Sequence, residues 1–236
     1  MDERQARLLA EIINEYVKTA SPVGSKLLAG RLSFHVSPAT IRNEMAELED
    51  QGYIIQPHTS AGRVPTTKAY RHLIAQLSTS GRLSPAVKKI LDELRATLVA
   101  EEVCEATKIL AKRVAELSGN AVIVAFSPDD IYYTGLSHLF SQPEFRERES
   151  LVDLGLVIDH LDQTIGQIFD QVNEVAVMLG NDNPFGADCA VVFGKCLVNN
   201  SDSLLGILGP ARMDYEKALG LIDFLCKETP KLNFKL

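Results

Sequence analysis

The stretch that decides the fold is VSPATIRNEMAELEDQGYIIQPHTSAGRVPTTKAYRHLI, residues 36–74. It opens with a strong helix-start signal, Ser37 followed by Pro38. Serine caps the unpaired backbone N–H groups of a first turn, and proline at the first helical position gives up an N–H that has no helical partner anyway. The pattern predicts a helix that runs to about Asp50 and ends at Gly52.

A hairpin and a further helix follow this predicted helix. Residues 53–56, YIIQ, are typical of a short strand, and residues 57–63, PHTSAGR, have loop chemistry before a second strand at Val64. Thr66 or Thr67 then caps a fourth helix.

Two helices are predicted before the deciding stretch. Apolar residues recur at intervals of three and four between residues 8 and 17, and this first helix stops at Ser21-Pro22. Ser21 or Ser25 can cap the second helix. Three helices followed by a two-stranded hairpin are the winged helix-turn-helix arrangement. The predicted core of this domain consists of Leu9, Ile13, Leu28, Ile41, Met45, Leu48 and Ile54.

The rest of the chain has a different pattern of predicted helices and strands. After a small, polar boundary at residues 78–81, residues 85–117 are helical in composition, as two helices or one bent helix. Strand candidates then alternate with helices, which predicts an α+β domain. The strands are expected at 121–126, 175–179, 189–193 and 204–208, and the helices at 143–172 and 215–227. The predicted domains are therefore a winged helix at 1–78, a helical connector at 79–118 and an α+β domain at 119–236.

Composition and charge narrow the classes of function. Of the 236 residues, 46% are hydrophobic and 23% are charged, as in ordinary folded proteins. The sequence shows no signal peptide or transmembrane segment, so we expect a cytoplasmic protein. The four cysteines and five histidines lack metal-ligand spacing, and we find no catalytic constellation. We therefore expect neither an enzyme nor a bound metal or cofactor.

The net charge of −7 is unevenly distributed. Residues 1–78 contain 9 basic and 8 acidic residues, whereas residues 79–236 contain 15 and 23. Because the acidity lies entirely in the second part, the first part can meet a polyanion such as DNA.

The outer face of the third helix is predicted to contact DNA. A helical wheel places Ile41, Met45 and Leu48 inward and leaves small and hydrogen-bonding residues outside. Such residues suit a major groove, where asparagine pairs with adenine and arginine with guanine or phosphate. The simpler interpretation makes Ser37 only a cap and Arg42 only a solvated charge. The predicted contacts on this helix are Ser37, Ala39, Thr40, Arg42 and Asn43.

The hairpin tip adds further candidates. His58, Thr59, Ser60 and Arg63 could contact phosphates or a minor groove, although an ordinary polar hairpin remains the alternative. The next helix offers Tyr70 and Arg71 as phosphate contacts, and Tyr70 could equally be packed.

The deciding stretch also resembles the HrcA family of heat-inducible transcription repressors. Three further stretches agree with it: YYTGLSHLFSQPEF at 132–145, GNDNP at 180–184 and GILGPARMDY at 206–215. The resemblance implies a homodimeric repressor that binds an inverted-repeat operator in double-stranded DNA upstream of chaperone operons. It also implies a GAF-like C-terminal domain and modulation by the chaperonin.

The sequence departs from the family pattern in three places. Ala69 stands where a glycine is usual, and Ala211 where a threonine is usual. Only residues 129–131 separate AVIVAFSP from YYTGLSHLF, whereas relatives carry a long dimerising segment between these stretches. The resemblance therefore leaves the dimer contacts of this chain unspecified, while it covers the DNA-reading residues.

The sequence thus predicts a transcription repressor of heat-shock genes. A metabolite sensor, in which the GAF-like domain binds a small molecule, is the alternative, although aromatic residues make up only 6% of the chain and tryptophan is absent. A winged helix that binds only protein is a third hypothesis. GPARMDY, residues 209–215, could bind an anion at a helix start, but we expect Arg212 and Asp214 to hold the turn to its neighbours.

Overall fold

The computed structural model describes residues 1–31, 37–77, 83–98, 101–146, 148–181 and 183–232. The chain divides into two compact units, Met1–Leu77 (unit 1) and Ser78–Leu236 (unit 2). The predicted boundary at residues 78–81 lies outside the described residues.

Unit 1 contains four helices and a small antiparallel hairpin among its described residues. These elements are α1 (Glu3–Thr19), α2 (Ser25–Ala29), α3 (Pro38–Asp50), β1 (Ile54–Ile55), β2 (Val64–Pro65) and α4 (Thr67–Gln76). All seven predicted core residues are buried. The winged-helix prediction is confirmed.

Local caps explain where these helices begin. Ser37 Oγ accepts the N–H of Thr40, as expected, and Thr66 caps α4. The predicted serine cap of α2 is wrong, because Gly24 occupies the cap position and makes no side-chain hydrogen bond. The chain is extended here because Val23 forms a backbone bridge with Arg63, so the helix cannot start earlier.

Unit 2 is built around a five-stranded antiparallel sheet in the order β4-β3-β7-β6-β5. Its strands are β3 (Ala121–Ser127), β4 (Asp130–Thr134), β5 (Val175–Leu179), β6 (Cys189–Val198) and β7 (Ser201–Pro210). Its helices are α5 (Pro85–Thr97), α6 (Val103–Ser118), α7 (Leu136–Phe140), α8 (Arg148–Asp159), α9 (Leu161–Ile168) and α10 (Tyr215–Glu228), with short 3₁₀ turns at Pro143–Phe145 and Thr229–Leu232.

Both faces of this sheet are covered, which explains the continuous apolar run of β3. Ile123 and Ala125 point into a cluster with Leu139, Phe145 and residues of α8 and α9. Helices α6 and α10 pack on the other face of the sheet, to which the side chains that alternate with Ile123 and Ala125 point. The α+β prediction is confirmed for unit 2.

Several details of unit 2 differ from expectation. The region expected to be helical contains α5 and α6, which matches the two-helix alternative; both helices belong to unit 2, where α6 packs on β3. The single helix expected over 143–172 is divided at His160, whose φ of −109° and ψ of 18° leave the helical range. Strand β4 was not predicted, and it joins β3 through a turn of only two residues, Pro128 and Asp129.

Candidate nucleic-acid interface

Helix α3 presents a small, polar face to solvent. Ala39, Arg42 and Asn43 are exposed, while Ile41 and Met45 are buried. Two predicted contacts at the helix start, Ser37 and Thr40, are hydrogen-bonded to each other, with their hydroxyl oxygens 3.0 Å apart. The outer face therefore has the composition expected of a helix that approaches a groove closely.

The wing, residues 54–65, has a loop held by one side chain. The Gln56 side-chain amide donates to the carbonyl oxygens of Thr59, at 3.1 Å, and Ala61, at 2.9 Å. His58, Thr59 and Ser60 are exposed, and the Ser60 hydroxyl lies 3.3 Å from His58 Nδ1. This arrangement presents polar groups on a loop of defined shape.

A cavity of about 550 Å³ is lined by some of the candidate residues of unit 1. It brings Arg42 of α3 together with Thr59 and Ser60 of the wing, and adds Ser25 and Lys26 of α2. The sequence prediction missed Ser25 and Lys26 as candidate contacts. Their position at the start of the second helix was the available signal, because the first helix of a helix-turn-helix pair typically crosses the DNA backbone.

Three cations line this cavity, and the charges of unit 1 leave two of them, Lys26 and Arg42, available. Four arginines are paired with glutamates, as Arg4–Glu44, Arg7–Glu3, Arg31–Glu15 and Arg63–Glu49. Within the described part of the chain, Lys26 and Arg42 have no carboxylate at ion-pair distance. Although the unit is nearly neutral, these two cations can meet phosphates.

Arg63 does not have the position expected of a backbone contact. Its guanidinium lies 2.8 Å from the Glu49 carboxylate, and its side chain is only 17% exposed. Its backbone pairs with Val23 in both directions, at 2.8 and 2.9 Å. Gly62 makes this approach possible, because a Cβ there would lie 2.4 Å from the Val23 carbonyl oxygen.

The two candidates on α4 differ from each other. Tyr70 is 3% exposed and packs inside unit 1, which corrects its assignment as a phosphate contact, because a side chain this buried cannot reach DNA. Arg71 is exposed on the same helix. Arg71 therefore stays a predicted contact, and Tyr70 is structural.

The turn at residues 209–215 is occupied by internal contacts, as expected. The Arg212 guanidinium binds the Glu144 carboxylate and donates to Gln142 Oε1 at 2.8 Å, and its side chain is 11% exposed. Asp214 caps α10 by accepting the N–H of Lys217.

Two properties of the described residues bear on other classes of protein. They contain no group of three or more histidine, cysteine or acidic residues that could hold a metal ion. Their helices are all too short or too polar to cross a bilayer.

Comparisons with known proteins agree with this geometry. A family model described as "Winged helix-turn-helix transcription repressor, HrcA DNA-binding" matches residues 1–79. A second, described as "HrcA protein C terminal domain", matches residues 68–219.

Two relatives illustrate the range of similarity. The "Heat-inducible transcription repressor HrcA" of Carboxydothermus hydrogenoformans is 27% identical, with 96% of each chain covered. This alignment spans 330 positions, so the relative contains many residues that have no counterpart here. The protein of the same name from Beutenbergia cavernae is 54% identical over 93 residues, which are 39% of this chain and 26% of that one.

One solved structure shows the same fold. Described as a hypothetical protein at 2.2 Å resolution, it superposes with a TM-score of 0.78 at 16% identity and covers 98% of both chains.

Proposed function

Since the chain belongs to the HrcA family of heat-inducible transcription repressors, we propose that it represses heat-shock genes by laying α3 in the major groove of operator DNA. The observation that carries this proposal is the cavity that joins Arg42 to the wing and to the first turn of α2. In this proposal Asn43 reads a base, Arg42 and Lys26 bind phosphates, and His58, Thr59 and Ser60 contact the backbone beside the groove.

The test compares variants on the DNA upstream of chaperone genes. Arg42→Ala and Lys26→Ala should each weaken binding and each reduce the salt dependence by about one unit of slope, because each removes one phosphate contact. Lys18→Ala is the matched control, since Lys18 is exposed on α1 and does not line the cavity. Equal effects of all three substitutions would show that only the overall charge matters.

The repressor should act as a homodimer on an inverted repeat. One winged helix with a net charge of about +1 has too few cations for tight binding, so two copies held at fixed separation must supply the affinity. Residues 1–78 alone should bind the operator at least about a hundredfold more weakly than the full chain, and a fused foreign dimeriser should restore part of the loss. Sedimentation of the full chain tests the premise, and a micromolar monomer that binds a full operator tightly would contradict it.

The chaperonin is proposed to modulate the activity of the repressor, in the cytoplasm. Footprinting of the upstream region with and without added chaperonin tests this directly. If the chaperonin changed neither the extent nor the affinity of the footprint, modulation by the chaperonin would be contradicted, while DNA binding would still be supported.

The metabolite-sensor alternative gains no specific support from the space between the sheet of unit 2 and α8. Phe145, Phe185 and Phe193 fill the space between the sheet and α8 with their own rings. The cavity beside Phe145 and Phe185 measures about 80 Å³, well below the few hundred Å³ of a typical metabolite site.

A further inference from the structure

We infer that Glu49, in the last turn of α3, is a positioning residue that sets the wing against this helix for DNA binding. The inference rests on the proposed function. It reassigns Arg63 from a phosphate contact to the partner through which Glu49 acts.

One carboxylate holds both arms of the wing. Glu49 Oε1 accepts the backbone N–H of Gln56, directly after β1, at 2.9 Å. Glu49 Oε2 lies 2.8 Å from the guanidinium of Arg63, just before β2. Because Glu49 lies in the last turn of α3, the same bonds fix the wing relative to the helix.

The hairpin needs this external support. Its two strands are two residues long each, with only Ile54 opposite Pro65 and Ile55 opposite Val64. A pair of this size is not stable by itself in water. The Gln56 amide organises the loop tip, and the Val23 bridge holds the second arm, but neither bond reaches α3.

The burial of the ion pair makes the assignment specific. The Arg63 side chain is 17% exposed and that of Glu49 is 31% exposed, so the pair is partly shielded from solvent. An arginine in this state would have to leave both its carboxylate and its packing in order to bind a phosphate. The groups of the wing that remain exposed are those of His58, Thr59 and Ser60, which the pair holds in place.

Glu49→Gln gives a test in which the two assignments predict opposite signs. Removing a negative charge near DNA should strengthen binding if electrostatics alone matters. If Glu49 positions the wing, Glu49→Gln should instead weaken operator binding about tenfold, because a charge-assisted hydrogen bond is lost. Asp50→Asn is the matched control, since it removes the same charge from the next, exposed position and should leave affinity unchanged or slightly improved.

The double variant distinguishes positioning from direct contact. Arg63→Ala and Glu49→Gln should weaken binding by similar factors, and the double variant should lose no more than either one. The slope of log K against log salt should stay the same in Arg63→Ala, whereas a direct phosphate contact requires a drop of about one unit. Additive losses, or a reduced slope, would overturn the inference.

A readout on the DNA-free protein keeps this test separate from the proposed function. Amide hydrogen exchange at Gln56 and Arg63 should be faster in Glu49→Gln than in Asp50→Asn, because both arms lose part of their anchor. If the wild-type chain bound no DNA, the proposed function would fail while this measurement still tested the anchor. Unchanged exchange in Glu49→Gln would overturn the positioning role whatever the DNA result.

Discussion

Gly62 offers a sharp test of how the wing is attached to unit 1. A Cβ at this position would lie 2.4 Å from the Val23 carbonyl oxygen, 2.5 Å from the Val23 carbonyl carbon and 2.8 Å from the Pro22 carbonyl carbon. These are backbone atoms and cannot rotate away as a side chain can. Gly62→Ala should therefore push the wing off the connection between α1 and α2.

The cost follows from the bonds that this shift breaks. The two backbone hydrogen bonds between Val23 and Arg63, at 2.8 and 2.9 Å, contribute about 0.5–1.5 kcal/mol each, so unit 1 should lose about 1–3 kcal/mol of unfolding free energy. Urea denaturation measures the loss, and amide exchange at Val23 and Arg63 locates it.

Gly24→Ala is the control in the same neighbourhood. Gly24 has φ −95° and ψ 148°, and a Cβ there would meet nothing within 4 Å. This substitution should change the unfolding free energy by less than about 0.5 kcal/mol. A urea midpoint for Gly62→Ala equal to that of Gly24→Ala, with unchanged exchange at Arg63, would refute the reasoning.

Three further predictions concern other residues. Asn43→Ala should cost about 1–3 kcal/mol on operator DNA and far less on random DNA, as measured by equilibrium binding; equal losses would make Asn43 a backbone contact. Burial raises the pKa of Glu44 despite the lowering effect of Arg4, so the stability that this group contributes is present at low pH and is lost as pH rises through its folded-state pKa. Glu44→Gln should thus raise the thermal midpoint at pH 7 and lose this advantage toward pH 4; an advantage that grows on acidification would contradict the sign. Burial and the nearby Asp188 raise the pKa of Cys189 to about 12, so iodoacetamide at pH 8 should modify Cys189 only after unfolding, as mass spectrometry of its peptide can establish.

Local signals in the sequence were sufficient for much of unit 1. Ser37 and Pro38 define the start of α3 because capping depends on neighbours only three residues away. The burial of Leu9, Ile41 and Leu48 follows from helical periodicity alone.

Long-range pairings account for what the sequence did not reveal. The partner of Arg63 is Glu49, fourteen positions earlier and on another element, and no local pattern announces such a pair. The late start of α2 depends in the same way on the bridge between Val23 and Arg63. Strand β4 was missed because it is a short edge strand, along which the side chains do not alternate clearly between buried and exposed. Tyr70 has the chemistry of a phosphate contact, and only its orientation on α4 decides against it.

The two-residue turn between β3 and β4 bears on how this architecture can gain or lose parts. Ser127 and Asp130 pair directly across the turn, so the two strands come together without any longer connection. A segment spliced in at Pro128 would enter and leave the sheet at adjacent points, and the added entropic cost of closing the loop grows only with the logarithm of its length. The strand register from Val122 to Ala125 would be preserved with or without such a segment. The β3–β4 hairpin is thus a position at which the sheet of unit 2 can accept an inserted segment.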